Sequence, residues 1–265
     1  MSSDIPADQR TGAPVLLLCA HGSRSATAQA ATARIRAAVQ AALPGTLVVE
    51  TWVDVQAPDV VARCAEFADR PVVIVPLLLS AGYHVRHDLA RAVSGRPHHV
   101  VTPALGPDPR LSRLLGRRLE EAGQASTGPA DPLVLIAAGS SDARARQDVQ
   151  AQAEDLAGLL DREVRVGYLS AAQPEAAGAV AAVAEATGRP VVALSYLVAP
   201  GTFHDQARRA GASILTAPLL GAADPAAGGA AVPGAATVPQ ELVSLVLARW
   251  EQGLSALGQA GSAAV

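Results

Sequence analysis

Apolar and polar residues alternate along this chain in blocks. Val15 to Cys19 is a continuous apolar run, as is Val72 to Leu79, and each is followed by a turn that contains glycine. Short apolar runs bounded by turn residues read as buried strands. The stretches between them are Ala-rich or amphipathic and read as helices. Ala26 to Leu43 is the first, with Ser23 or Ser25 as its N-cap. Leu47 to Val53 is a second, β-branched strand. Asp59 to Ala68 is a second helix, which Pro58 can open at its first position. Helices over His84 to Val93 and Pro109 to Glu121 flank a short fourth strand, His98 to Thr102. The pattern predicts Arg113, Arg117 and Arg118 on the outer side of the fourth helix, and His98 and His99 facing solvent. Strands alternating with helices predict βαβ units in a mostly parallel four-stranded sheet, with helices on both faces.

Ala122 to Pro132 is a linker by composition, and the pattern then begins again. Leu133 to Ala138 leads into Gly139-Ser140-Ser141, echoing His21-Gly22-Ser23. Val164 to Leu169, then Gln173-Pro174, echoes the second strand and Ala57-Pro58. Val191 to Val198, ending in Ala199-Pro200-Gly201, echoes the third strand and Ser80-Ala81-Gly82. The offset is roughly 116 to 119 residues, too long for a solenoid repeat. This predicts an α/β fold of two tandem, duplicated domains. Residues 1–13 are a lead-in, 14–122 the first domain with the active site, and 123–132 the linker. Residues 133–258 are a degenerate second domain with a low-complexity loop over 222–237. The last helix, Pro239 to Leu257, has Leu242, Leu245, Val246, Leu247 and Trp250 as its buried side.

Three polar residues of the first copy fall at strand ends. His21 follows strand one, Asp54 ends strand two and His84 follows strand three. In a parallel sheet these ends share the edge where ligands bind. Two imidazoles and a carboxylate there can hold a divalent transition metal or accept protons near neutral pH. The second copy has lost them. Ala138 stands in the place of His21, and Ser170 or Ala171 in that of Asp54. His204 stays near the His84 position, shifted by about one. The copy is an internal control, because the same turn is rebuilt without an imidazole.

Composition narrows the chemistry. The chain has 265 residues, 50 % hydrophobic, enough for one large domain or two small ones, each with a real core. No apolar run approaches the ~20 residues of a membrane span. Cys19 and Cys64 lack CxxC spacing, which argues against a disulfide framework or structural zinc and for a reduced, cytoplasmic setting. The net charge is −3 with no basic run, so nucleic acid is not an expected partner. All 21 basic residues are Arg, which excludes a P-loop lysine or a Schiff-base lysine. Arginine holds carboxylates bidentately, which suits a polyacidic ligand.

The first copy resembles the small class II chelatases of the sirohydrochlorin cobaltochelatase and ferrochelatase family. CAHGSR (Cys19 to Arg24), WVDVQAP (Trp52 to Pro58) and VPLLLSAGYHVRHDL (Val75 to Leu89) carry the resemblance. It covers most of residues 14–122 and, more loosely, the duplicated half. It implies insertion of Fe²⁺ or Co²⁺ into sirohydrochlorin with release of two protons, in sirohaem or cobalamin biosynthesis. The family's two metal-handling histidines match His21 and His84. Its carboxylate, commonly Glu, matches the shorter Asp54. Ser23, Arg24, Gly82, Tyr83 and Arg86 then fall around the substrate, with His204 as a contribution from the second half. No organic cofactor is implied, and the metal ion is a substrate. The Cys- and His-rich tail of some cobalt-type members is missing, which favours iron. The fused halves are expected to work as a monomer that imitates a dimer of single-copy chelatases. A non-catalytic metal or tetrapyrrole carrier on the same fold is the alternative.

Overall fold

The computed structural model describes residues 12–80, 82–123, 131–221 and 238–262. Most of the expected lead-in and linker, and the low-complexity loop over 222–237, lie outside these residues. The apolar runs form the strands. In the first half these are β1 (Val15–Ala20), β2 (Leu47–Trp52), β3 (Val72–Pro76) and β4 (His99–Val101). In the second half they are β5 (Leu133–Ala137), β6 (Val164–Tyr168), β7 (Val192–Tyr196) and β8 (Ile214–Leu215). All pairings are parallel, in the orders β2-β1-β3-β4 and β6-β5-β7-β8.

The two sheets repeat one another in register. Leu16 pairs with Val48 and Val73 in the first, and Leu133 pairs with Val164 and Val192 in the second. The bridge between Trp52 and Asp59 recurs between Tyr168 and Glu175. The duplication read from sequence is therefore built residue for residue.

Side chains alternate across each strand, so each sheet buries two faces. Val15, Leu17 and Cys19 join Val72 and Ile74 in an outer core. That core also holds residues of α2 (Val60–Glu66) and α3 (Tyr83–Val93). Val134, Ile136 and Ala193 do the same beneath α6 (Ala176–Thr187) and α7 (Thr202–Arg208). The other faces share one core: Leu16, Leu18, Val73 and Val75 belong to the same apolar cluster as Leu133, Leu135 and Leu194. The remaining helices, α1 (Ala26–Ala42), α4 (Pro109–Gly123), α5 (Ala143–Leu160) and α8 (Gln240–Ser262), pack on that side.

The helices that close each half are exchanged. α4 packs against α5 and β7 of the second half, while α8 packs against α1, β3 and β4 of the first. Gly253 lets α8 come close, since a β-carbon there would stand 2.2 Å from Cγ1 of Val73. Polar ties follow the same exchange. Arg249 of α8 donates to the carbonyls of Ala104 and Leu105, at 3.0 and 3.2 Å. Arg117 of α4 forms a bidentate pair with Glu241 of α8, at 2.8 and 2.9 Å.

Three expectations from sequence are corrected here. Arg118 is buried, donating to the carbonyls of Pro218 at 3.2 Å and Leu219 at 2.7 Å. The periodicity of α4 marked a solvent side that the second half in fact covers. His99 is buried, with Nε2 3.2 Å from the Phe67 carbonyl oxygen. Pro58 does not open α2; Asp59 is its N-cap, and its carboxylate accepts from the Ala62 amide at 2.8 Å.

Candidate functional site

In a sheet ordered β2-β1-β3-β4, the crossovers run in opposite directions from β1, which leaves a crevice at the carboxyl ends of β1 and β3. His21 is the first residue after β1, and it is exposed. Gly22 turns the chain at φ +97, a conformation that favours glycine. The turn is pinned from below by β2: the Val53 amide donates to the Ala20 carbonyl and the Asp54 amide to the His21 carbonyl, both at 3.0 Å. His21 is thus held by its backbone while its ring stays available.

The segment after Gly22 is bonded within the chain. The Ser23 amide donates to Oε1 of Gln56 at 2.8 Å, and the Ser25 amide to Oγ of Ser23 at 3.0 Å. These two amides already have partners within the chain. Gln56 was not among the expected site residues, although it lies in the WVDVQAP stretch.

A cleft of about 600 Å³ opens between the two halves at this edge. It is within the roughly 300–1,000 Å³ usual for small-molecule and cofactor sites. His21, Gly22, Ser23, Val55 and Gln56 form one wall, continued by Leu77 to Ser80 and Gly82. Ala138 to Ser141, Tyr196 to Thr202 and Phe203 form the facing wall from the second half. Most of the lining is apolar, with His21 as the only ionisable imidazole among the described side chains. Val55 and Phe203 stand exposed at the cleft, at 47 % and 44 %.

Tyr196 fixes the floor. Its hydroxyl donates to the Leu79 carbonyl at 3.2 Å and lies 3.4 Å from Oε1 of Gln152. Burial raises its ionisation far above the ordinary phenol value, so it remains a neutral donor. Neither Phe203 nor Tyr196 was an expected site residue. The signal for both was the repeat itself: Tyr196 ends the second-half counterpart of β3, and Phe203 lies in the first turn of α7, the counterpart of α3.

The other expected residues fall out as follows. Asp54 is exposed and does not line the cleft; its Oδ1 accepts from the amide of Val55 at 2.7 Å. Gly82 is the N-cap of α3, so Tyr83 and His84 occupy its first turn, directly beyond β3. Their side chains lie outside the described set. Arg24 is exposed and off the cleft wall. Arg86 forms an ion pair with Asp142, the N-cap of α5 in the second half. Hydrogen bonding by the Arg144 amide, with Arg86 alongside, holds the Asp142 carboxyl below the ordinary range.

His204 is not on this cleft. With Gly201 capping α7 as Gly82 caps α3, Phe203 takes the place of His84 and His204 comes one residue later. His204 is 4 % exposed, with Nδ1 3.1 Å from Oγ of Ser195. It lines a neighbouring cleft of about 700 Å³, together with Ser25, Thr27, Asp205 and Arg208. The two clefts share the wall Pro200-Gly201-Thr202.

The cysteines are buried and free. Burial pushes the Cys19 thiol up to about 12 and the Cys64 thiol up to about 11, so neither offers a thiolate near neutral pH. Among the described residues no group of three or more His, Cys, Asp or Glu is placed to hold a metal ion. Among them, too, no helix is long and apolar enough to cross a membrane.

The CbiX family model matches residues 15–122 and 132–215, one segment in each half. The chain belongs to the CbiX family of class II chelatases. Among solved structures it is similar to SirB from Bacillus subtilis with Fe³⁺, at 20 % identity and a TM-score of 0.70 over 91 % of this chain and 95 % of that one. It is also similar to the sirohydrochlorin chelatase SirB from Bacillus subtilis subspecies spizizenii in complex with cobalt. That identity is 19 % and the TM-score 0.68, over 91 % and 94 % of the two chains. CbiX, the terminal enzyme for siroheme biosynthesis in denitrifying bacteria, matches at 20 % identity and a TM-score of 0.60, over 88 % and 98 %. At these identities the likeness is one of fold. A comparison with curated proteins finds no match.

Proposed function

We propose that this protein is a sirohydrochlorin chelatase, which inserts Fe²⁺ or Co²⁺ into sirohydrochlorin and releases two protons. The observation that carries the reading is the asymmetry of the main cleft. One wall presents His21 on a turn that the facing wall rebuilds as Ala138-Gly139-Ser140 without an imidazole. Membership of the CbiX family, and relatives solved with Fe³⁺ and with cobalt, support it.

The chemistry balances simply. The free macrocycle gives up two pyrrole N–H protons, and the divalent ion takes four ring nitrogens as it loses its water. The ion is a substrate here. His21 is the proposed acceptor of a pyrrole proton, or the group that hands over the ion, because imidazole does both near neutral pH. His84, in the first turn beyond the adjacent strand, is its proposed partner. Asp54 acts by its negative charge beside the rim at Val55, which favours a divalent cation nearby. The apolar wall from Leu77 to Leu79, with Val55 on the same side and Phe203 opposite, beds the flat macrocycle. Working as a monomer fits the shared core and the exchanged helices, since each half already has its partner, and two free cysteines fit a reducing cytoplasm.

Purified protein with sirohydrochlorin and anaerobic Fe²⁺ or Co²⁺, followed by absorbance, tests the reading. It predicts metal insertion well above the spontaneous rate. Tight binding of tetrapyrrole or metal with no acceleration would make the protein a carrier instead.

A further inference from the structure

The halves are related by the duplication, yet their two flanks are closed differently. On one flank Arg86 of α3 pairs with Asp142, the residue that opens α5. On the other, the corresponding residues are Asp205 of α7 and Ser25 before α1. The correspondence rests on matching bonds: the Ser25 amide donates to Oγ of Ser23, as the Asp142 amide donates to Oγ of Ser140 at 3.1 Å. No ion pair spans this second flank among the described residues. The cleft of about 700 Å³ opens there, lined by both Ser25 and Asp205.

Its chemistry differs from that of the main cleft, whose described lining holds no arginine. Arg208 lines the second cleft and has no hydrogen-bond or ion-pair partner among the described residues. Asp205, on the preceding turn, does not pair with it. His204 lines the same space while 4 % exposed. Its Nδ1 is taken by Ser195, and its Nε2 has no partner among the described residues. The hydroxyls of Ser25 and Thr27 complete the polar wall.

We infer that this second cleft is a carboxylate-binding subsite, with Arg208 as the cation that receives a peripheral carboxylate of the tetrapyrrole lying in the main cleft. The inference rests on the chelatase reading for its ligand. A macrocycle bearing carboxylates around its rim cannot satisfy them on the apolar walls. The shared wall Pro200-Gly201-Thr202 is the short step from the one space to the other. In the tautomer where Ser195 donates to Nδ1 of His204, the ring proton lies on Nε2, from where it can reach the same carboxylate. The degenerate half thereby contributes to substrate binding without an imidazole of its own in the main cleft.

The test is sirohydrochlorin binding by absorbance titration, with insertion kinetics alongside, for the full chain and for Arg208→Gln, Arg208→Lys and Arg165→Gln. A lost charge-assisted hydrogen bond corresponds to a weakening of about 10-fold or more. Arg208→Gln is expected to raise Kd and KM by that factor while kcat stays within about twofold. Arg208→Lys should recover part of the loss, and the remote Arg165→Gln should match the wild type. With the methyl-esterified tetrapyrrole, wild type and Arg208→Gln should bind alike. Unchanged Kd and KM in Arg208→Gln would overturn the inference and leave the chelatase reading standing. Wild-type protein that binds sirohydrochlorin but inserts no metal would overturn that reading, and the Kd comparison would still decide the subsite. Wild-type protein that binds no tetrapyrrole would overturn both.

Discussion

Gly22 lies directly against the backbone of Asp54: a β-carbon at Gly22 would stand 2.0 Å from the Asp54 carbonyl oxygen. Gly139 and Ser170 repeat the relationship in the second half, at 1.9 Å. Both turns also hold a positive φ, +97 and +93. The carboxyl end of each central strand is therefore locked to the neighbouring loop by a contact that only glycine permits. This is what aims residue 21 into the cleft, whichever side chain it carries.

Gly22→Ala and Gly139→Ala should both destabilise the fold, by at least about 2 kcal/mol each, from the strained backbone and the displaced carbonyl. Thermal unfolding followed by circular dichroism measures this as a fall of several degrees in Tm. Only Gly22→Ala should also impair the cleft, because only that turn carries the histidine.

Removing Arg118 leaves the Leu219 carbonyl without its side-chain donor and the Pro218 carbonyl with the Gly221 amide alone. Arg118→Ala should cost about 2–4 kcal/mol in urea unfolding, far above the value for an exposed arginine. Arg113→Ala, on the exposed side of the same helix, should fall within about 0.5 kcal/mol of wild type.

Burial lowers the pKa of both His99 and His204. A depressed folded value means that the unfolded chain binds protons first as pH falls. The stability tied to neutral imidazole is therefore whole above the unfolded value near 6.5 and is lost as pH drops below it. Urea midpoints should fall between pH 7.5 and pH 5.5, and His99→Gln should flatten that slope. A midpoint that rises over this range would contradict the burial of the two rings.

The two thiols are buried with raised pKa values of about 12 and 11. A thiol reagent at pH 8 should label neither Cys19 nor Cys64 in the folded protein, and both once urea unfolds it. Rapid labelling of the native chain would contradict the outer core of the first half.

Much of this was legible from the sequence, because the runs before Gly22 and Gly82 are long, apolar and bounded by turns. The duplication was legible because Gly139, Pro174 and Gly201 punctuate the second half as Gly22, Pro58 and Gly82 do the first. What stayed hidden depends on contacts between the halves. Arg118 looks outward on its own helix, and only the exchange of α4 onto the second half buries it. Phe203 shows no chemistry in sequence, yet it stands at the His84 position and meets the cleft. Asp54 sits at the expected strand end, but the turn spends its carboxylate on the Val55 amide, and Val55 and Gln56 reach the cleft in its place.

The central claim is that His21 is present for chemistry and not for the turn. The direct measurement is the rate of metal insertion by His21→Ala beside its Tm. Ala138 shows that the turn folds without an imidazole, so Tm should stay within about 2 °C of wild type, in keeping with an exposed substitution. The insertion rate should fall by roughly 10²-fold or more, the scale of a lost proton acceptor. A His21→Ala protein that inserts metal at the wild-type rate would contradict the account.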